Sequence, residues 1–192
     1  MKKIIVTMVL GLGLLTANAQ IQQLAGPRIG MSLISAGSSA DFLHEGSVFV
    51  ENNDKNKLGE TGTAFITQYG WQWESRFADG GGDVVGIVEW VALVGGMEQG
   101  KFLPSISSVV GMRTSNGFEV GVGPNLSLSA ETFVGIGMIF AIGKNFKSGS
   151  LNLPVNLVFM PGKSYTQTIG GVENEYNSGT RISIMVGFNL AK

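Results

Sequence analysis

Between Gly117 and Ser129, Phe118, Val120, Val122, Leu126 and Leu128 fall on one side, and Glu119, Gly121, Gly123, Asn125, Ser127 and Ser129 on the other. Strand side chains alternate with period two, so this stretch makes a strand with one greasy face and one small or polar face. The same division recurs in most extended segments. A chain built this way points to a single antiparallel, up-and-down β-barrel in an exported protein, which closes the sheet and leaves no edge exposed.

Eight segments carry the pattern: Pro27–Ser35, Thr61–Arg76, Val84–Val94, Ser105–Arg113, Gly117–Ser129, Thr132–Phe146, Leu151–Met160 and the final stretch from Arg181. In the second, Phe65, Tyr69, Trp71 and Trp73 oppose Gln68, Gly70, Gln72, Glu74 and Arg76. The third is apolar on both faces apart from Glu89, and its phase stays open. Eight strands are expected, with ten as the alternative, and Ser47–Glu51 offers a ninth short strand within the first polar stretch. Ser115-Asn116-Gly117 is a tight-turn signal between segments four and five. With both chain ends on one side, Phe77–Asp83, Thr114–Gly117 and Lys147–Gly149 become short inner turns. The long polar stretches Ala36–Glu60 and Pro161–Gly179 then both fall on the outer side, the arrangement of outer-membrane barrels.

The first residues explain export. Lys2 and Lys3 precede an apolar run from Ile4 to Leu15, and Ala17-Asn18-Ala19 supplies a small-x-small cleavage pattern. This is a Sec-type signal peptide over 1–19, too short for a membrane anchor, and leaves residues 20–192 as one barrel domain. Without Lys2 and Lys3, eleven basic residues stand against fourteen acidic ones, too mild and too mixed a balance for a nucleic-acid partner. The chain has no cysteine, hence no disulfide, thiolate metal site or lipid-anchor cysteine.

Which face looks outward decides the protein's solvent. Only 14% of residues are charged, and 29 are glycine, so the non-apolar face would make a poor water-facing sheet. Arg28, Glu74, Arg76, Arg113, Glu119 and Arg181 all sit on that Gly/Ser/Asn face. Lining a lumen, they can pair with one another, whereas an Arg facing lipid near the midplane costs about 2–4 kcal/mol. Glycines beside them leave room for long side chains inside a narrow barrel. The expected site is therefore a structural lumenal network of Arg28, Glu74, Arg76, Glu89, Arg113, Glu119 and Arg181. Tyr69, Trp71, Trp73 and Trp90 are candidates for an interfacial aromatic belt.

No catalytic, cofactor or metal site is expected. His44 is the only histidine, and it lies in a polar stretch with Asp41 and Glu45, where a solvated side chain is the simplest reading. Glu51-Asn52-Asn53-Asp54 lacks the spacing and terminal Glu of a calcium loop. Gly121-Val122-Gly123-Pro124 and Gly135-Ile136-Gly137 lead into no helix, and they read as glycines on an inward face. Trp71 and Trp73 could stack on a sugar, but a shared lipid-facing side explains them with less assumed.

The segments GFEVGVGPNLSLS, LNLPVNLVFMPGK and GTRISIMVGFN, with a signal ending in Ala19-Gln20, make the chain resemble small outer-membrane β-barrel-like proteins of Bacteroidota. The resemblance covers the second half of the chain well and the first half loosely. It implies fold and location and brings no activity or site residues. Outer-membrane lipid and the barrel-assembly machinery are the partners it implies. That machinery commonly reads a terminal aromatic residue, whereas here Phe188 is followed by Asn189-Leu190-Ala191-Lys192. The expected role is structural or surface-interacting, without catalysis, through loops 36–60 and 161–179. A soluble periplasmic lipocalin-like barrel around an apolar ligand is the alternative, and a membrane-embedded lipid enzyme is a third.

Overall fold

Eight antiparallel strands close into an up-and-down barrel in the computed structural model, which describes residues 25–45, 62–79, 83–127, 135–169 and 172–190. The strands are β1 (Ala25–Ile34), β2 (Ala64–Asp79), β3 (Val84–Gly95), β4 (Leu103–Thr114), β5 (Phe118–Ser127), β6 (Gly135–Ser148) and β7 (Leu151–Met160). A hairpin of β8 (Ser164–Ile169) and β9 (Val172–Asn177) precedes β10 (Arg181–Gly187) and its two-residue continuation β11 (Asn189–Leu190). β10 pairs with β1 on one side and with β7 on the other, which closes the sheet. β8 and β9 form their own ribbon, so the barrel has eight strands rather than ten. The signal segment and Ser47–Glu51 lie outside the described residues.

An even strand number brings Ala25 and Leu190 to the same end, together with the turns 115–117 and 149–150 and the strand ends Asp79 and Val84. The first of these turns shows how sequence makes one. Gly117 has φ +85°, and a Cβ there would collide with the Asn145 carbonyl oxygen. The Phe118 amide donates to Asn116 Oδ1 and to Thr114 Oγ1, both at 3.1 Å. Only glycine takes that backbone freely, so the turn is confined to this register. It places Arg113 directly opposite Glu119.

The apolar face points outward. Ile29, Met31, Leu33, Val122, Phe140, Leu157 and Ile184 are among its exposed side chains, while Arg28, Ser32, Gln72, Glu74 and Asn125 are buried inside. β3, whose phase the sequence leaves open, turns Ile87 and Glu89 inward and Val84 and Trp90 outward. Glycines accommodate the inward charges as expected. A Cβ on Gly187 would lie 2.7 Å from Arg28 Cδ and Nη1, and one on Gly143 would collide with Asn156 Nδ2. Pro154 has no N–H to give to a ladder, and the β7 pairing is interrupted there. It runs with β10 down to Val155–Val186 and resumes in the same register at Asn152–Asn189.

Two elements lie where the sequence reads as polar loop. Helix α1 (Ser38–Glu45) falls in the first. Its Ala40 and Leu43, three apart and hence on one side, bury against Ile34, Ala64 and Ile66, with Leu103 alongside. The helix is thereby seated at the barrel mouth, and Lys101 Nζ lies 5.2 Å above the Phe42 ring. The β8–β9 hairpin falls in the second, with Ile169 opposite Val172. Gly170-Gly171 between those two residues is a two-residue hairpin signal in plain view.

The β3–β4 connection, with a 3₁₀ turn over Met97–Gln99, is pinned to β2. Glu98 accepts from the Thr67 amide and hydroxyl, each at 2.6 Å. Partial burial pushes the Glu98 carboxyl up, but the two Thr67 hydrogen bonds outweigh it and hold the group below its ordinary value. A carboxylate with a lowered folded pKa stabilises the fold above the unfolded value of about 4.3 and loses that contribution as pH falls through the folded value. Hydrogen exchange at the Thr67 amide is expected to be slow at pH 7 and to lose protection only in acid below the ordinary carboxylate range. Glu98→Gln should remove that acid-dependent step; a step of the same size in the variant would refute the role of Glu98.

Candidate functional site in the barrel lumen

The turn-side half of the lumen is organised around Arg113 on β4. Its Nη1 donates to Glu74 Oε1 at 2.7 Å, and its Nη2 donates to the other oxygen of the same carboxylate. Its Nε donates to Glu119 Oε1 at 2.5 Å. Two-pronged Arg–carboxylate pairing is geometrically specific and roughly twice as strong as a neutral hydrogen bond. The remaining oxygen of Glu119 accepts from Asn156 Nδ2 at 3.3 Å, and Gln72 Nε2 donates to Glu89 Oε1 at 2.5 Å.

The register explains why a cation belongs at this point. Glu74 and Glu89 sit directly opposite each other on β2 and β3. Two like charges in that relation repel and weaken the pairing. Arg113 reaches across β3 to bond Glu74, and its Nη2 stands 3.8 Å from Glu89 Oε1. Arg76 lies on the far side of Glu74, with Nε 3.8 Å from Oε1. The chain thus holds three buried carboxylates around one guanidinium, each with a polar partner.

Five of the seven charges expected to meet do so: Glu74, Arg76, Glu89, Arg113 and Glu119. Arg28 and Arg181 stand apart. Arg28 Nη1 donates to the Pro154 carbonyl at 3.3 Å and senses Glu89, Glu119 and Glu74 only at longer range. Arg181 Nε is buried without a hydrogen-bond partner among the described residues. Gln72 and Asn156 belong to the network as well, although the sequence singles out only the charged residues. Their inward phase is legible there, since Gln72 shares a face with Glu74, and Asn156 opposes Val155 and Leu157.

Above this layer, Ser32 Oγ donates to Gln68 Oε1 at 2.6 Å and lies 2.6 Å from Ser183 Oγ, while Asn125 Nδ2 donates to Ser107 Oγ at 2.9 Å. A cavity of about 80 Å³ occupies this middle level. His44 is exposed, with Nε2 3.4 Å from the Thr63 carbonyl oxygen. Among the described residues, no three His, Cys, Asp or Glu side chains cluster as a metal site would require.

On the outer surface, Trp73 pairs directly with Trp90 across β2 and β3. Phe77, Phe118, Phe146 and Phe188 are exposed near the same turn-side end. The aromatic set of Tyr69, Trp71, Trp73 and Trp90 therefore extends around the barrel through phenylalanines that alternation places on the apolar face without giving them a level. No family model matches this chain, and no curated protein matches it either.

Proposed function

We propose that the protein is an outer-membrane barrel, exported by its N-terminal signal, whose role is structural or surface-interacting rather than catalytic. The observation that carries this reading is the exposed apolar face. Ile29, Met31, Leu33, Ile136, Ile184 and many like them face outward at about half exposure or more, around a lumen of buried Arg and Glu. Water penalises that arrangement and a bilayer rewards it. Strands of 10 to 16 residues, as β1 through β7 are, match the roughly 9–11 residues that a tilted strand needs to cross a hydrocarbon core. The exposed aromatics at the turn-side end supply an interfacial girdle. No helix among the described residues is long and apolar enough to cross a membrane, and a barrel needs none.

A soluble lipocalin-like barrel would carry the apolar set inside, and the outward placement of that set weighs against it. Non-catalysis is favoured because Glu74 and Glu119 are already engaged by Arg113, an arrangement that suits a clasp better than a proton shuttle. The outer end carries α1 and the β8–β9 hairpin, which offer a surface to a partner outside the cell. Fractionation of the native host tests the reading: the protein should sediment with outer membranes and resist carbonate extraction. Epitope tags at Asn53 and Asn174 should be reached on intact cells, and tags at Asn116 or Ser148 should not. Folded, detergent-free recovery from the periplasm would replace this reading with the soluble one.

A further inference from the structure

The cavity in the middle of the lumen is bounded by two different kinds of wall. Arg28, Arg181 and Asn125 line it on the polar side, and Val158, Met160 and Ile139 supply an apolar side. Neither arginine has a carboxylate within 4.0 Å among the described residues, whereas Arg76 and Arg113 both do. The half-buried side chain of Arg181 has no hydrogen bond or ion pair to a described residue, and its enclosed Nε is unpartnered among them. Asn125 donates its amide N–H to Ser107 and keeps a buried Oδ1 without a partner among the described residues. Of the seven charges that the described strands turn into the lumen, four are guanidiniums and three are carboxylates, so one positive charge is in excess among the described residues. A guanidinium drawn into a narrow lumen without a counter-charge pays desolvation that an anion beside it would offset.

We propose that this cavity binds a short-chain monocarboxylate, its carboxylate on Arg181 and its alkyl tail against Val158, Met160 and Ile139. Arg28 adds a second positive charge to the same chamber. The volume sets the length. At about 10–15 Å³ for each water-sized occupant, 80 Å³ holds a ligand of roughly five to eight heavy atoms, a range that starts at propionate. The charge excess of one selects a monoanion over a dianion. The apolar wall selects a carboxylate with a tail over a bare halide, because hydrated chloride gains nothing from contact with methyl and thioether groups. This site is independent of what surrounds the barrel, so it stands or falls separately from the membrane reading.

Calorimetric titration of the folded mature protein in detergent with sodium propionate, at fixed total sodium, tests it. Saturable one-to-one binding is expected, with chloride competing poorly. Arg181→Gln should weaken binding by about tenfold or more, the scale on which one charge-assisted contact acts. The same change should leave the melting temperature in the absence of propionate equal or higher, since it removes a half-buried charge that has no counter-charge among the described residues. Ala141→Leu, which fills the cavity from another strand, should abolish binding while the far-UV circular dichroism of the barrel is kept. No saturable binding to the wild type, undiminished binding in Arg181→Gln, or chloride binding as tightly as propionate would each overturn the proposal.

Discussion

Ile184→Arg is expected to lose the membrane-inserted form of the protein, or to lower its stability in a bilayer by about 2–4 kcal/mol. Ile184 lies midway along β10, 57% exposed on the apolar face, with Met31 and Leu157 opposite it on the two neighbouring strands. Its neighbours are therefore also apolar and outward, and a guanidinium there has neither a partner nor a nearby route to water. Phe102→Arg is the matched control. Phe102 is 69% exposed, but it lies in the β3–β4 connection beyond the strands, where an Arg should cost little. Refolding into lipid vesicles, followed by urea titration of both variants, reads the difference. On a water-facing surface, Ile184→Arg would shift stability within about 0.5 kcal/mol. Equal behaviour of the two variants would end the membrane reading.

Arg113→Met should be the most destabilising single change inside the lumen, with Glu74→Ala close behind. Removing Arg113 leaves Glu74, Glu89 and Glu119 buried together, two of them in direct cross-strand opposition. Breaking a buried pair by deleting one partner costs on the order of 3–5 kcal/mol, less where water reaches the lumen. Glu74→Ala strips the two-pronged contact from Arg113 while Glu119 still holds its Nε. Glu119→Ala should also lower the unfolding temperature, because Arg113 and Asn156 both lose a partner, and Glu119→Gln should do so less. Heat unfolding in detergent orders the series, and the Glu74→Ala/Arg113→Met double mutant should be less destabilised than the two single effects added together. Wild-type stability in both single mutants would show that the clasp contributes nothing to the fold.

The division of strand faces is legible in the sequence because period-two alternation is a local property: Val120, Val122 and Leu126 declare their side of β5 without reference to any other strand. The tight turn at Ser115–Gly117 is equally local, and it carries the Arg113–Glu119 pairing with it, since a short hairpin turn determines which residues stand opposite. α1 is hidden because eight residues with only Ala40, Phe42 and Leu43 as apolar members look like loop until the barrel mouth gives Ala40 and Leu43 something to bury against. The β8–β9 hairpin escapes a reading by alternation, although Gly170-Gly171 announces it. β3 cannot be phased alone, since a strand greasy on both sides needs its neighbours to decide which side meets the lumen.

Alternation, the tight turn at Ser115–Gly117 and the placement of Arg28, Glu74, Arg76, Arg113, Glu119 and Arg181 on the small-residue face are written in the sequence, because each depends on residues a few positions apart. The strand count was settled only by closure, when β10 found β1 and β7 and left β8 and β9 as a separate ribbon. Tertiary structure alone also divided the seven inward charges, drawing Glu74, Glu89, Glu119 and Arg76 around Arg113 and leaving Arg28 and Arg181 to the cavity above. The physical reason is the tilt and stagger of a closed sheet. Which side chains share a level of the lumen depends on the register of all eight strands at once, and no local stretch of the chain contains that information.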